Sequence, residues 1–489
     1  MDTLFYGDNL DVMSQKLKKE SVDLIYLDPP FNSKRNYNMM YKTMTGYPVS
    51  EQEEAFCDTW TLDAEKEEKI RTIQLLMKDY GVDEDYVSFW GIWIKALRHT
   101  QPSLLAYLVY MVERLLHMKV LLKPSGSIYL HCDPTASHYI KVMMDGIFGH
   151  KNFRNEIIWH YRRWTAGTKN FQRMHDVILR YTKTDNFFFN LQYEPYGDWI
   201  KKDYKYLDEE TGKRWRWHTV KGIRYKVYLE DENRGVKLND VWIMPQLAST
   251  SKERLGYPTQ KPIALLDRII KASCPPDGVV FDPFCGCGTT IYSAIQNQRK
   301  WIGCDIAILP IKLIKHQLEE KYRLSENIHF KIDGIPVSVE QAQMLKKASP
   351  YQFQHWVVEH IGGFPTLKKS ADKGIDGRIY IDTREGLKEM ILSVKSGAIT
   401  PSDIRDLRGT LEREYKKAVL AGFISLNDIT KGMKEEAALA GLWEYQGVSY
   451  ERIQLLTVKE ILEEKKLFHT PTKIGIKGKT GQLNLPLFA

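Results

Sequence analysis

The chain has 489 residues, more than one ordinary domain holds, which predicts two or three. Apolar residues make up 43% and aromatics 12%, enough for real cores; no stretch is long and uncharged enough to span a membrane, the N-terminus MDTLFYGDNLD lacks a basic-then-apolar leader pattern, and six cysteines over this length give no disulfide framework, so a cytoplasmic protein is expected. Seventy lysines and arginines against 62 acids leave a net charge of +8, a mild bias towards a polyanionic partner.

Residues 1–40 read as strand, helix, strand: LFYG, NLDVMSQKLKKE and VDLIYLD. Short apolar runs separated by helical stretches predict a parallel α/β sheet. Residues 41–95 are polar and aromatic-rich and read as a long excursion from the sheet, a mobile flap. Around 101–123 the pattern is helical; KPSGSIYLHCD then gives a turn and a buried strand, SHYIKVMMDGIFG a helix and FRNEIIWHYRR a further strand. From Trp164 to Asp240 basic and aromatic residues mix, as in KRWRWHTVKGIRYKVYL, and neither a helical nor a strand period dominates. GYPTQKPIALLDRIIKAS begins a helix, PPDGVVFDPFCGCGTT gives strand, glycine turn and helix start, RKWIGCDI the next strand, and IKLIKHQLEEKYRL a closing helix. A second module starts near Ser338 with the amphipathic helix SPYQFQHWVVEHIGG, followed by strands DGRIYID and MILSVKSG and two later helices. The expected fold class is α/β: a doubly wound mixed-sheet domain over 1–325, a smaller α/β domain over 340–470, and a loose tail over 471–489.

The glycine turn asks for a ligand. A buried strand ends at Asp282; Phe284, Gly286 and Gly288 follow in an F-x-G-x-G pattern, and Thr289 and Thr290 open a helix. Glycines let the backbone turn tightly and let a ligand approach it, and ligands in open α/β sheets bind beyond the strand C-termini. The pattern is neither G-x-G-x-x-G nor a P-loop, and taken alone it fits an ordinary strand–turn–helix about as well. Asp305, at the end of the next strand, is placed to hydrogen-bond ribose hydroxyls. Cys285 and Cys287 have no partner pair at zinc spacing and read as small residues filling the turn.

The strand DLIYLD ends on Asp28-Pro29-Pro30-Phe31, at the same sheet edge. The prolines lack an N–H, so the stretch is rigid and has carbonyls to spare. Asp28 and the Pro29 carbonyl are acceptors suited to a planar NH2 group, and Phe31 offers a face for stacking. Together they fit an exocyclic amine on a heterocycle, adenine N6 above all. Asp8, after the opening strand, is placed to accept from a cofactor's own adenine amine.

With those residues in hand, 1–325 resembles the beta class of S-adenosylmethionine-dependent DNA amino-methyltransferases. Asp28-Pro29-Pro30-Phe31 matches the family's catalytic motif, and Asp282-Pro283-Phe284-Cys285-Gly286-Cys287-Gly288 its cofactor motif. The order, catalytic motif first, marks the beta class. In GYPTQKPIALLDRII, Thr259, Lys261 and Pro262 resemble the block that holds the methionine end of the cofactor, while Cys287 stands where the family commonly has serine. The resemblance implies S-adenosylmethionine as cofactor, duplex DNA as partner, and a target adenine flipped out and stacked on Phe31. An aspartate opening the motif favours adenine N6 over cytosine N4. It also implies target recognition by 164–240, with Arg162, Arg163, Arg173, Lys213, Arg214, Arg216 and Arg224 meeting phosphates or guanine edges. A role in restriction–modification or phage defence follows, with a homodimer or a separate restriction subunit as further partner. An RNA or protein-amide methyltransferase is the competing class.

In the second module Asp376 starts one strand, Ser393 and Lys395 share a face of its neighbour, and Glu359 lies on the preceding helix. An acid and a lysine on paired strands can bind a divalent metal and steady an attacking water. This resembles the Mrr-type branch of restriction-endonuclease-like folds, which implies Mg²⁺ held by Asp376 and Glu359, with Lys395 completing the catalytic set. Ser393 departs from the glutamate or glutamine usual there. The alternative is a nuclease-like fold kept for binding DNA or a partner without cutting, in a modification-only enzyme.

Overall fold

The computed structural model describes residues 1–30, 36–39, 53–57, 60, 62, 64–162, 169–197, 200–229, 235–248, 250–255, 257, 259–366, 374–384, 386–414 and 416–471. Nine strands form the larger sheet: β1 (Asp2–Tyr6), β2 (Val22–Leu27), β3 (Leu122–Cys132), β4 (Phe153–His160), β5 (His175–Thr182), β6 (Val241–Ile243), β7 (Val279–Asp282), β8 (Lys300–Asp305) and β9 (Phe330–Asp333). Their spatial order is β6-β4-β5-β3-β2-β7-β8-β1-β9. All these pairings are parallel except those of β5, which is antiparallel to both β3 and β4.

Both faces of this sheet are covered. Every residue of β2 is buried, as a central parallel strand requires, and its side chains alternate between two cores. Leu24 and Tyr26 join one cluster with Leu266 and Ile270 of α6 (Ile263–Ser273), Ile291 of α7 (Thr289–Gln296) and Ile311 of α8 (Ile308–Glu320). Ile25 and Leu27 join the other, with residues of α2 (Ala64–Asp79), α3 (Glu84–Thr100), α4 (Pro102–Leu121) and α5 (Ser137–Phe148). The doubly wound mixed sheet is therefore as expected.

Three boundaries differ. Within 41–95, residues 64–95 form α2 and most of α3 rather than a flap: Val87, Trp90, Ile94 and, just beyond, Leu97 recur at helical spacing on α3 and are buried in the second cluster, while Phe89 stays exposed. The remainder of the 41–95 stretch lies partly outside the described residues. β5 falls inside 164–240 yet belongs to the central sheet; beyond it, Arg214–Val220 and Ile223–Tyr228 form an antiparallel hairpin turning at Lys221 and Gly222, both with positive φ. Finally β9 pairs with β1, so the larger unit runs past 325 to Asp333.

The smaller unit has a five-stranded sheet in sequential order, β10 (Phe364–Pro365), β11 (Gly377–Thr383), β12 (Gly386–Lys395), β13 (Ala418–Ser425) and β14 (Ile453–Thr457). The first two pairings are antiparallel and the last two parallel. Its helix α9 (Pro350–His360) packs on α8 of the larger unit, and Phe353, Trp356 and Val357 sit in the same hydrophobic cluster as Ile308, Ile311 and Ile314. A second helix, α10 (Pro401–Arg413), starts with a capping box between Thr400 and Asp403.

Candidate active site

Strands β2, β7, β8 and β1 are adjacent and parallel, so their C-termini meet at one sheet edge. Each ends in a chemical group: Asp28 after β2, Asp282 on β7, Asp305 on β8, and Gly7-Asp8 after β1. All line one pocket, together with Pro29, Pro30, Thr259, Lys261, Phe284, Gly286 and Thr289. Phe31 lies outside the described residues. Pro262 and Gly288 do not line the pocket. Pro262 precedes the first turn of α6. Gly288 has φ +86° and leads into α7; a Cβ there would sit 2.7 Å from Ile314, so its glycine answers to packing. Gly286, with φ +47°, does face the pocket, where a Cβ would press on the Tyr257 ring at 3.2 Å.

The carboxylates are held in three ways. Asp305 pins the glycine turn: its Oδ2 accepts from the Gly286 N–H at 2.9 Å and its Oδ1 from the Ala307 N–H at 3.0 Å. Burial still lifts its pKa to about 6. Asp282 accepts from the Phe284 N–H at 3.0 Å and the Thr290 hydroxyl at 2.5 Å, yet burial, reinforced by the charges of Asp28 and Asp305, pushes it up to about 7. Asp28 forms a short ion pair with the Lys261 ammonium through Oδ2, the two side chains only 16% and 11% exposed. Its Oδ1 is buried and, among the described residues, has no hydrogen-bond partner. An acceptor left open in a pocket costs free energy until a donor arrives, which marks where a ligand's N–H would go.

Two of the predicted residues carry partners within the protein. Asp8, expected to accept from a cofactor's adenine amine, lines the pocket while Arg114 of α4, 2% exposed, donates through Nη2 to both its oxygens at 2.7 and 2.9 Å, and the Leu10 N–H donates to Oδ1 at 2.8 Å. Arg114 also donates through Nε to Asn9 Oδ1 at 2.7 Å and lies 3.5 Å over the Tyr110 ring. Lys261, which matches the block expected to hold the methionine end of the cofactor, also lines the pocket and pairs with Asp28. The signal for Arg114 was present: an arginine in a largely apolar helix, where most neighbours are buried, needs a paired acid.

Below the pocket the sequence reading missed a buried relay of polar groups. Tyr26 OH meets His131 Nδ1 at 2.9 Å, His131 Nε2 meets Asp176 at 3.3 Å, and Tyr161 donates to Asp176 at 3.0 Å. Burial works to raise the Asp176 pKa, but the His131 and Tyr161 hydrogen bonds and the Lys261 charge outweigh it and hold the carboxyl below its usual value. Cys287 is buried and its thiol pushed up to about 12 by burial, so it stays protonated and fits the space-filling reading.

The basic stretch presents its hairpin to solvent, with Trp217, Ile223 and Tyr225 exposed. Arg216 lies 4.9 Å over Tyr204, and Arg224 lies 5.9 Å over Trp217. Lys213 sits just before the hairpin, Arg214 donates to the Tyr204 carbonyl at 3.4 Å, Arg162 is exposed at the end of β4, Arg173 donates to Thr135 at 3.2 Å, and Arg163 lies outside the described residues.

The second predicted site does not assemble as expected. Asp376 directly precedes β11 and accepts from the Val394 N–H at 2.7 Å; burial raises its pKa against that bond and the Lys395 charge. Lys395 is half exposed, its ammonium 3.9 Å from Asp403 of α10. Ser393 is buried. Glu359, the expected third member, accepts from the Ile308 N–H of α8 at 3.2 Å and so is turned to the other unit. Among the described residues no group of three or more His, Cys, Asp or Glu side chains could hold a metal ion.

A family model described as DNA methylase (N6_N4_Mtase) matches residues 22–316, and one described as NACHT-associated inactive restriction endonuclease 1 matches residues 350–463. The chain is 27% identical over 285 residues to the Type II methyltransferase M.EcaI of Enterobacter cloacae, covering 48% of this chain and 62% of that one. It is 25% identical over 365 residues to the Type II methyltransferase M.HpaI of Haemophilus parainfluenzae, covering 74% and 87%. It is 26% identical over 319 residues to the DNA adenine methyltransferase YhdJ of Escherichia coli K12, covering 65% and 82%.

Proposed function

The chain belongs to the DNA methylase family whose model spans residues 22–316, and from that premise we propose that it is a beta-class enzyme methylating adenine N6 in duplex DNA, with S-adenosylmethionine as donor. The open acceptor at Asp28 Oδ1 carries this reading.

The residues present fit that cofactor. The edge of the pocket is concave where Gly286 brings backbone close, Asp305 stands at the ribose position, and Thr259 and Lys261 lie across the pocket. Four carboxylates line the cavity; burial above all, with the charges of Asp28 and Asp305 adding to it, lifts Asp282 to about 7, and a cationic sulfonium would offset that negative charge. When bound, the cofactor supplies an electrophilic methyl group. The chain's own part is positioning and electrostatics. Asp28 Oδ1 and the Pro29 carbonyl accept the two hydrogens of an amine and turn its lone pair out of ring conjugation. Lys261 fixes Asp28 in that orientation. A flipped base reaches this cavity, and the exposed basic and aromatic hairpin grips the duplex beside it.

We place the second unit as a non-cutting module in a modification enzyme of restriction–modification type. Glu359 is spent on α8, Ser393 offers no carboxylate, and the matched model is one of inactive endonucleases. Asp28→Asn tests the catalytic reading. It keeps size and removes the anion that pairs with Lys261, and methyl transfer to DNA should fall about 10²–10³-fold while S-adenosylmethionine still binds. Transfer at the parental rate would refute the assignment.

A further inference from the structure

We infer that the C-terminal module completes the cofactor edge of the methyltransferase site, with Glu359 and Gln352 of α9 as positioning residues for the Gly7–Asp305–Ile308 backbone. The inference rests on reading that edge as the S-adenosylmethionine site.

The helix α8 lacks a side-chain cap of its own. α8 starts directly after the loop from Asp305, and its N-cap residue is Ala307, which has no side-chain acceptor to offer. The first N–H groups of a helix lack intrahelical partners and need one from elsewhere. Asp305 Oδ1 takes the Ala307 N–H from inside the domain. The next, Ile308, is taken by Glu359 Oε2 across the domain boundary. A carboxylate there also suits the positive end of the helix dipole. So one helix N-terminus is held by two acids, one on each domain. The acid from the larger unit is the one whose other oxygen pins Gly286.

Two turns earlier on α9, Gln352 reaches the other side of the same edge. It is 7% exposed, and among the described residues its Nε2 finds no acceptor. It sits 3.6 Å from where a Cβ on Gly7 would stand. Gly7 lines the pocket, and its N–H donates to the Asp305 carbonyl at 2.9 Å. The preceding residue, Tyr6, has a buried hydroxyl with no partner among the described residues, and its pKa is raised by burial and by the charges of Glu359 and Asp305. Phe353 and Trp356, buried between the units, hold α9 in place. The helix acid that a nuclease would give to a metal here shapes the wall of a neighbouring site. Asp28 and Lys261 lie away from this contact, so binding of the cofactor should respond and turnover should not.

The experiment uses the full chain and measures S-adenosylmethionine affinity by calorimetry beside KM and kcat for methyl transfer to DNA. Glu359→Ala should raise both Kd and KM for S-adenosylmethionine about tenfold, with kcat within about twofold of the parent. Glu359→Gln should restore most of the loss, because its amide oxygen can accept the same N–H. If Glu359→Ala does not fold, Gln352→Leu leaves the cap intact and should show a smaller rise, about threefold, with the same split. Unchanged Kd in folded variants, or a fall in kcat at constant KM, would overturn the inference. A parent that binds no S-adenosylmethionine would instead remove the reading of the site beneath it.

Discussion

Two corners of this molecule start from the same motif, an acid where a strand ends, and reach opposite outcomes. At the edge of β2, β7, β8 and β1, four strand ends converge on one cavity, and the Asp28 Oδ1 acceptor has no partner among the described residues. At the corner of β11 and β12 the candidate groups point elsewhere: Asp376 to the Val394 N–H, Lys395 to Asp403, Glu359 to a helix of the other domain. Residue type and spacing were suggestive in both. What separates them is convergence, together with hydrogen-bonding capacity that the fold itself has not consumed.

The contrast can be broken or sharpened by substitution. The largest stability effect is expected from Arg114→Met. It removes the donors that hold Asp8 and Asn9 and should cost about 3 kcal/mol in urea unfolding, towards the lower end for a broken buried pair because Asp8 is partly exposed. A loss below about 1 kcal/mol would mean that water replaces the arginine without penalty.

The next concerns pH. Asp282 has a folded pKa of about 7, above the ordinary 3.8, so the folded state binds its proton more tightly than the unfolded chain. The stability this group contributes is fully present below the unfolded pKa and is lost as pH rises through about 7. Melting temperature of the ligand-free protein should therefore fall between about pH 4 and 7, and Asp282→Asn should flatten that slope. Parallel slopes in the two proteins would place the titration elsewhere.

The smallest effect is expected at the other corner. Lys395→Ala removes an exposed, loosely paired ammonium and should change stability by less than about 1 kcal/mol. Duplex DNA with Mg²⁺ should stay intact with either protein. Strand breaks by the parent that vanish in the variant would restore the nuclease reading.

Much of the larger site was legible along the chain because strand ends and glycine turns are local features. VDLIYL followed by Asp28, and VVFD followed by the glycine pair, announce buried parallel strands with groups at their ends. The Lys261–Asp28 pair was not legible: 233 residues separate them, and only the sheet order brings them together. Residues 64–95, part of the stretch read as a flap, were misread because the mix of polar and aromatic residues hid the helical spacing of Val87, Trp90, Ile94 and Leu97, which buries one face. β5 was obscured by the basic residues around it, while its own core, HDVILRYT, carries an ordinary strand signal. Glu359 was read on the correct helix, but its partner lies on another domain, and no pattern within the module predicts that direction.

The most direct test of the central claim is the identity of the methylated base. Unmethylated genomic DNA treated with the protein and labelled S-adenosylmethionine would be hydrolysed to nucleosides and separated. The account predicts label in N6-methyldeoxyadenosine, lost with Asp28→Asn. Label in N4-methyldeoxycytidine, or label absent from DNA and present in RNA or protein, would contradict it.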